Sequence, residues 1–195
     1  MHDALKPTIA GWTQRVLDSI DACIGADQAV DIQRLETILT SASTWSGCPT
    51  ASHVSNGSPT MAYQRIPLTD SAARGYEALL IVWPPDHATP IHDHDGLWGM
   101  EFVLDGVLEV EAFDLSMQPQ PHLVSRDVTV LGIGDHVAFS NADYAHRCHN
   151  LSSNRPTLSL HVYGGELNSY RSFQSEEEGR WTSATHHTVR EPALV

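Results

Sequence analysis

The sequence predicts a mainly β chain, a sandwich or small barrel preceded by helices, and three observations carry that expectation. Residues 8 to about 42 repeat apolar side chains at three-to-four spacing: Ile9, Trp12, Val16, Leu17, Ile20 and Ile24, then Val30, Leu35, Ile38 and Leu39. From about Met61 to Tyr163 that period gives way to short runs rich in β-forming residues and broken by turn residues. Strands at short, regular intervals with no helical pattern between them favour antiparallel sheets over a parallel α/β sheet.

Each element follows in order. Two helices are expected over residues 8 to about 42, parted at Gly25, and the stretch from Ser41 to Pro59, rich in Ser, Thr, Gly and Pro, reads as a connection. Strands are expected at ALLIVW (78–83), GMEFVLDGVLEVEAF (99–113), VTVLGIG (128–134), HVAFS (136–140) and TLSLHVY (157–163). Within the second run, Asp105-Gly106 is the pairing expected at a hairpin turn. Ser175-Glu176-Glu177-Glu178-Gly179 reads as a solvated turn, and the tail around His186-His187 as loosely ordered. One domain is expected over 1–195, with a helical segment (1–50) packed on a barrel (60–172) and a C-terminal extension (173–195).

Composition narrows the function. The chain has 195 residues, 24 Asp+Glu against 11 Lys+Arg, a formal charge of −13, and 12 histidines. A chain of this length buries roughly two-thirds of its unfolded surface and needs no staple. The acidic balance argues against nucleic acid, whose binding requires clustered Lys and Arg. Nothing resembles a secretory leader or a membrane span, so a soluble, cytoplasmic protein is expected. Cys23, Cys48 and Cys148 are odd in number and widely spaced, which disfavours a disulfide framework and a paired-cysteine zinc site. A metal would be held mainly by histidine.

Pro90-Ile91-His92-Asp93-His94 carries the main chemical signal. Histidines at i and i+2 on a strand project from one face and can reach one metal ion, with Asp93 pointing the other way. Two surface histidines would give the same pattern. A third imidazole, His146, lies about fifty residues on, in Tyr144-Ala145-His146-Arg147-Cys148-His149-Asn150, where a barrel strand can return beside the first. His149 has the opposite parity and is expected at the surface. On Ser159-Leu160-His161-Val162-Tyr163, the serine, histidine and tyrosine share one strand face.

Together, His-x-His before a strand pair closing at a glycine and His146-x-x-x-Asn150 resemble the two metal motifs of the cupin superfamily. The resemblance implies a double-stranded β-helix, a small jelly-roll barrel with N-terminal helices. Many metal-binding cupins carry a glutamate ligand where this chain has Gly99; Glu101 is nearby but is not promoted to ligand, so His92, His94 and His146 are expected to form a three-histidine site. That pattern, with Ser159, His161 and Tyr163, resembles the thiol dioxygenases of the cysteine dioxygenase family. There the Ser-x-His-x-Tyr strand forms a hydrogen-bonded relay, and an arginine in the position of Arg65, beside Tyr63, binds the substrate carboxylate. Arg suits that task through its planar, permanently charged fork.

The resemblance spans about residues 60 to 172. It implies one Fe(II) per chain and a small thiol acid oxidised by O2 to the sulfinic acid. L-cysteine is the first expectation, and 3-mercaptopropionate or mercaptosuccinate the alternatives. The bacterial 3-mercaptopropionate dioxygenases share His92 to Gly99 and His161 to Gly164, generally with glutamine in place of Arg65; an arginine like Arg171 offers a second carboxylate contact in that branch. With glycine at 99, the cysteine–tyrosine thioether of the animal enzymes cannot form and Tyr163 stays a free phenol. A diketone dioxygenase and a non-catalytic metal-binding cupin are the competing classes, and the expected state is monomer or homodimer.

Overall fold

A computed structural model describes residues 6–24, 29–54, 62–68, 71–139, 142–176 and 179–190. Two helices lead: α1 (Lys6–Asp21) and α2 (Ile32–Leu39). Eleven strands follow among the described residues: β1 (Gln64–Pro67), β2 (Glu77–Trp83), β3 (Ile91–His92), β4 (Gly99–Asp105), β5 (Leu108–Ser116), β6 (His122–Leu131), β7 (His136–Phe139), β8 (Tyr144–His149), β9 (Thr157–Tyr163), β10 (Ser169–Ser175) and β11 (Trp181–His187). They form two sheets, β1-β2-β9-β4-β7 and β11-β10-β3-β8-β5-β6. The observed class is mainly β with N-terminal helices, the two-sheet jelly roll of the cupin fold.

Both helices form because they can cover a sheet. Trp12, Val16 and Ile20 line one face of α1 and are buried, as are Leu35 and Leu39 of α2. Asp31 caps α2, its Oδ1 accepting from the Arg34 amide at 3.0 Å. The helices lie on the outer face of the five-stranded sheet, against Ala78, Leu80 and Val82 of β2, Met100, Phe102 and Leu104 of β4, and Leu158, Leu160 and Val162 of β9. The inner face carries Leu79, Ile81 and Trp83, whose parity is opposite, together with Val103 and Tyr163, inside the barrel. A sheet covered on both faces has no solvent side, which is why β2 and β9 are buried at all seven positions instead of alternating.

Two expectations are corrected. Asp105-Gly106 does not close a hairpin: β4 lies in the five-stranded sheet and β5 in the other, so the turn carries the chain between sheets. Gly106 adopts φ +93°, and a Cβ there would sit 2.4 Å from Thr157 Oγ1. The segment around His186-His187 is a strand: β11 pairs antiparallel with β10 from Ser169–His187 to Ser175–Trp181. The solvated turn between these strands falls partly on residues 177 and 178, and Gly25 between the helices, like residues 55–61 of the connection, lies outside the described residues.

Candidate functional site

The three predicted metal histidines converge. His92 on β3 pairs directly with His146 on β8, and His94 follows two residues after His92. Their ring centroids are 5.2 Å (His92–His94), 4.8 Å (His92–His146) and 4.8 Å (His94–His146) apart. The candidate ligand atoms all lie within 4.8 Å of one another. His92 Nδ1 sits 3.0 Å from the Pro90 carbonyl and His146 Nδ1 3.2 Å from the Tyr144 hydroxyl, which occupies those nitrogens and leaves Nε2 free. The Nε2 atoms of His94 and His146 are buried with no hydrogen-bond partner.

Buried ring nitrogens without partners are costly unless something else takes the lone pair. Burial, reinforced by His146, depresses His92 to about 3, and burial likewise pushes His94 and His146 down. Three neutral imidazoles with converging lone pairs are a donor set that fits a borderline divalent transition metal such as iron.

Gly99 explains why the barrel has no carboxylate ligand at the position where many cupins have one. A Cβ there would lie 2.4 Å from Phe139 Cζ and 2.9 Å from Tyr163 Cδ1. The space is already filled by those rings.

The carboxylate that does enter the site is Glu101, which faces His161 across the β4–β9 pairing. Its Oε1 is 3.4 Å from His146 Nε2 and 3.3 Å from His161 Nδ1, and its Oε2 accepts from Cys148 Sγ at 3.5 Å. Burial opposes its ionisation, but the His146 and His161 imidazoles more than offset this and hold its carboxyl below the usual range. Glu101 also belongs to a second candidate ligand group with His146 and Cys148. Sequence reasoning set Glu101 aside, yet a signal existed: it is a charged residue within Gly99–Leu104, a run buried at all six positions.

The residues of the predicted relay are in contact. Trp83 Nε1 donates to Ser159 Oγ (2.7 Å), Ser159 Oγ is 2.8 Å from His161 Nε2, and His161 Nδ1 is 3.0 Å from the Tyr163 hydroxyl. Hydrogen-bond inventory fixes the direction. An ionised carboxylate only accepts, so the His161 nitrogen that faces Glu101 carries the proton, and Nε2 accepts from Ser159. Nδ1–H then points to the Tyr163 oxygen, which leaves the phenol proton free to be donated elsewhere. Burial, then Glu101, push the Tyr163 phenol well up, so it is a donor.

A cavity of about 340 Å³ opens onto this cluster, lined among others by Tyr63, Arg65, His92, Glu101, His161 and Tyr163. Tyr63 stacks on His87 (4.8 Å, 20° between planes). Arg65, on β1 opposite Ile81, is 10% exposed, and its Nε and one terminal nitrogen are buried without hydrogen-bond partners. Arg171 is not brought to the cavity. Its guanidinium is taken by buried Asp93, with Nε and a terminal nitrogen both 2.6 Å from Oδ2, while its amide donates to Oδ1 at 2.8 Å. Tyr170, of the other parity on β10, lines the cavity instead. His149 is half-buried, 3.9 Å from Glu109 and outside the cavity. Asn150 is a structural knot: its Nδ2 donates to the Trp83, Pro84 and Arg155 carbonyls at 2.9–3.2 Å.

A two-sheet barrel with three imidazoles facing one point, two of them buried and His92 half-buried, defines a cupin with a candidate metal centre. The chain matches the cysteine dioxygenase type I family over residues 24–176 and belongs to that family. Cysteine dioxygenase type 1 of Danio rerio is 26% identical over 124 residues, 63% of this chain and 59% of that protein. The enzyme of Rattus norvegicus is 23% identical over 106 residues, 54% of this chain and 53% of that one. The matched region thus spans a little over half the length of these relatives. Among solved structures, hydroquinone 1,2-dioxygenase PnpCD in complex with Cd2+ and 4-hydroxybenzonitrile has a TM-score of 0.43 at 16% identity, over 54% of this chain and 66% of that chain. An uncharacterised Klebsiella pneumoniae protein with a double-stranded β-helix domain has a TM-score of 0.41 at 15% identity, over 65% and 89%. No helix among the described residues is long and apolar enough to cross a membrane.

Proposed function

We propose that the chain is an iron-dependent thiol dioxygenase that converts a small thiol acid, L-cysteine foremost, with O2 to the sulfinic acid, using one Fe(II) per chain held by His92, His94 and His146. The observation that carries the reading is Arg65. A buried guanidinium with unsatisfied donors opens into the same cavity as two of the three clustered imidazoles, His92 and His146, and the Tyr163 phenol. That combination suits a ligand with a carboxylate at one end and a metal-seeking group at the other.

Bound by the three histidines, ferrous iron supplies Lewis acidity toward a thiol and the redox chemistry that O2 requires. Arg65 takes the carboxylate and so presents the sulfur in one orientation, which lowers the entropy lost in reaching a reactive geometry. Tyr163 donates its phenol proton to an oxygen or carboxylate near the reacting sulfur. His161 orients Tyr163 through Nδ1–H, and Ser159, fixed by Trp83, holds the opposite ring nitrogen. Glu101 anchors His161 and adds a negative charge beside the three imidazoles. The three cysteines are free thiols, which agrees with a cytoplasmic setting.

Arg171 lends no support to the 3-mercaptopropionate alternative, because Asp93 already holds it. The test is metal content of protein purified without added metal, followed by oxygen uptake with cysteine, 3-mercaptopropionate, mercaptosuccinate and cysteamine. Iron-dependent uptake with a thiol acid, and its sulfinate as product, is expected. No iron-dependent uptake with any thiol sinks the reading, and bound metal without uptake favours a non-catalytic cupin.

A further inference from the structure

The five-stranded sheet holds a buried carboxylate that the proposed chemistry does not use. Glu77 opens β2, directly opposite Tyr163 on β9, and its side chain is 2% exposed. Both its oxygens are engaged: Oε2 accepts from the Leu167 amide at 3.1 Å and Oε1 from Arg190 Nε at 2.5 Å. Arg190 comes from the C-terminal tail just past β11, and its other end donates to the Leu167 carbonyl at 2.8 Å. The same tail places His187, Thr188 and Val189 in the cavity wall, with Thr188 Oγ1 bound to that carbonyl at 2.6 Å. Arg65 stands on the opposite side of Glu77, 3.8 Å from Oε2. That is within ion-pair range and beyond a hydrogen bond.

We propose that Glu77 and Arg190 are positioning residues that set the placement and free donors of Arg65, and through it the affinity for the carboxylate of the thiol substrate. The inference rests on reading Arg65 as the carboxylate anchor. Donor occupancy is the argument. Arg190, which also lies 3.8 Å from the exposed Glu166, and the Leu167 amide occupy Glu77, so Arg65 keeps donors free for a ligand. Without Arg190, Glu77 has an open oxygen. Arg65 then closes the gap to Glu77 and its fork is spent on a protein carboxylate, as the Arg171 fork is spent on Asp93. The C-terminal tail thereby tunes the substrate site as well as walling it.

The test uses anaerobic, metal-loaded protein and calorimetric Kd values for cysteine, 3-mercaptopropionate and cysteamine, the last lacking a carboxylate. The readout is the ratio of thiol-acid Kd to cysteamine Kd in wild type, R65Q, R190Q and the double variant E77Q/R190Q, with melting curves confirming folded protein. R190Q is expected to raise the ratio at least about tenfold. The double variant, which removes the competing carboxylate, is expected to return it to within about threefold of wild type, a rescue that a purely structural latch would not give. An unchanged ratio in R190Q, or a double variant as impaired as R190Q, overturns the proposal. If R190Q does not fold, Arg190→Ala takes its place in both arms. If R65Q itself leaves the ratio unchanged, it is the reading of Arg65 as anchor that fails.

Discussion

Gly99→Ala adds one methyl group at the point where the barrel, the relay and the candidate metal centre meet. The added Cβ would stand 2.4 and 2.6 Å from two carbons of the Phe139 ring and 2.9 Å from Tyr163 Cδ1. Carbon atoms are comfortable at about 3.5–4.0 Å, so one or both rings must retreat by roughly 1 Å. Neither has free space: Phe139 stacks on His94 at 4.3 Å and on Tyr144 at 4.9 Å, and both rings are buried. Overpacking of this kind costs about 1–3 kcal/mol. At the 2–4 °C per kcal/mol typical of chains this size, the melting temperature should fall by about 2–12 °C. Because Phe139 backs His94 and Tyr163 carries the relay hydroxyl, metal affinity should fall as well. Calorimetric melts and a chelator competition measure the two. A melting temperature within about 1 °C of wild type would refute the argument that this position is glycine because ring packing leaves no room.

Further outcomes follow from the same geometry. Chelation should lower the melting temperature of metal-loaded protein and leave His94→Ala unaffected, since a metal bound only by the folded state adds about 2.7 kcal/mol at a hundredfold excess over Kd; equal shifts in both proteins would remove His94 from the ligand set. Glu101→Gln keeps the shape but not the charge, and should weaken metal binding about 10–100-fold in a chelator competition, the usual effect of altering a partner behind the ligands. Unchanged affinity would confine Glu101 to the relay. The thiols should resist alkylation at pH 8 in the native state: burial, with Asp105, raises Cys48 to about 11, and burial raises Cys23 and Cys148 as well. Rapid labelling of Cys48 at pH 8, read by peptide mass mapping, would contradict the environment described for it.

Strand parity is a rigid rule, and Ser159, His161 and Tyr163 on β9 meet as it requires; the three histidines converge by a different route, since β3 ends at His92 and His94 reaches the cluster from the segment beyond it. The helices were legible from Trp12, Val16 and Ile20, whose spacing matches a buried stripe. Where the reading failed, the deciding contact was long-range. Arg171 looks available in sequence, but its partner Asp93 lies 78 residues away and is buried by the fold. Asp105-Gly106 has the local chemistry of a hairpin, and only the pairing of β4 with β9 and of β5 with β8 shows that the strands part into different sheets. The tail from Trp181 to His187 carries no apolar alternation because it is an exposed edge, held by backbone pairing with β10 rather than by a buried face. Glu101 was passed over because sequence motifs place the cupin carboxylate at Gly99, two residues earlier on the same face.

The chain's formal charge of −13 says nothing about how the cavity would receive an anion. Buried charges are tolerated when paired, so the cavity can be examined pair by pair. With a divalent ion among the three neutral imidazoles, Glu101 cancels one unit of charge and a thiolate cancels the other. Arg190 is hydrogen-bonded to Glu77 and lies 3.8 Å from Glu166, while Arg65 lies 3.8 Å from Glu77 without a hydrogen bond and keeps buried donors for an anion. A substrate bearing both a thiolate and a carboxylate closes both accounts at once. Cysteamine closes only the first and brings an ammonium toward an unpaired guanidinium. On the proposed function, the preference for thiol acids over thiol amines is expected to depend on the whole set of buried ions, including Arg190, far from the metal histidines in sequence. Changing any one of them should then shift the acid-to-amine ratio even where it touches no substrate.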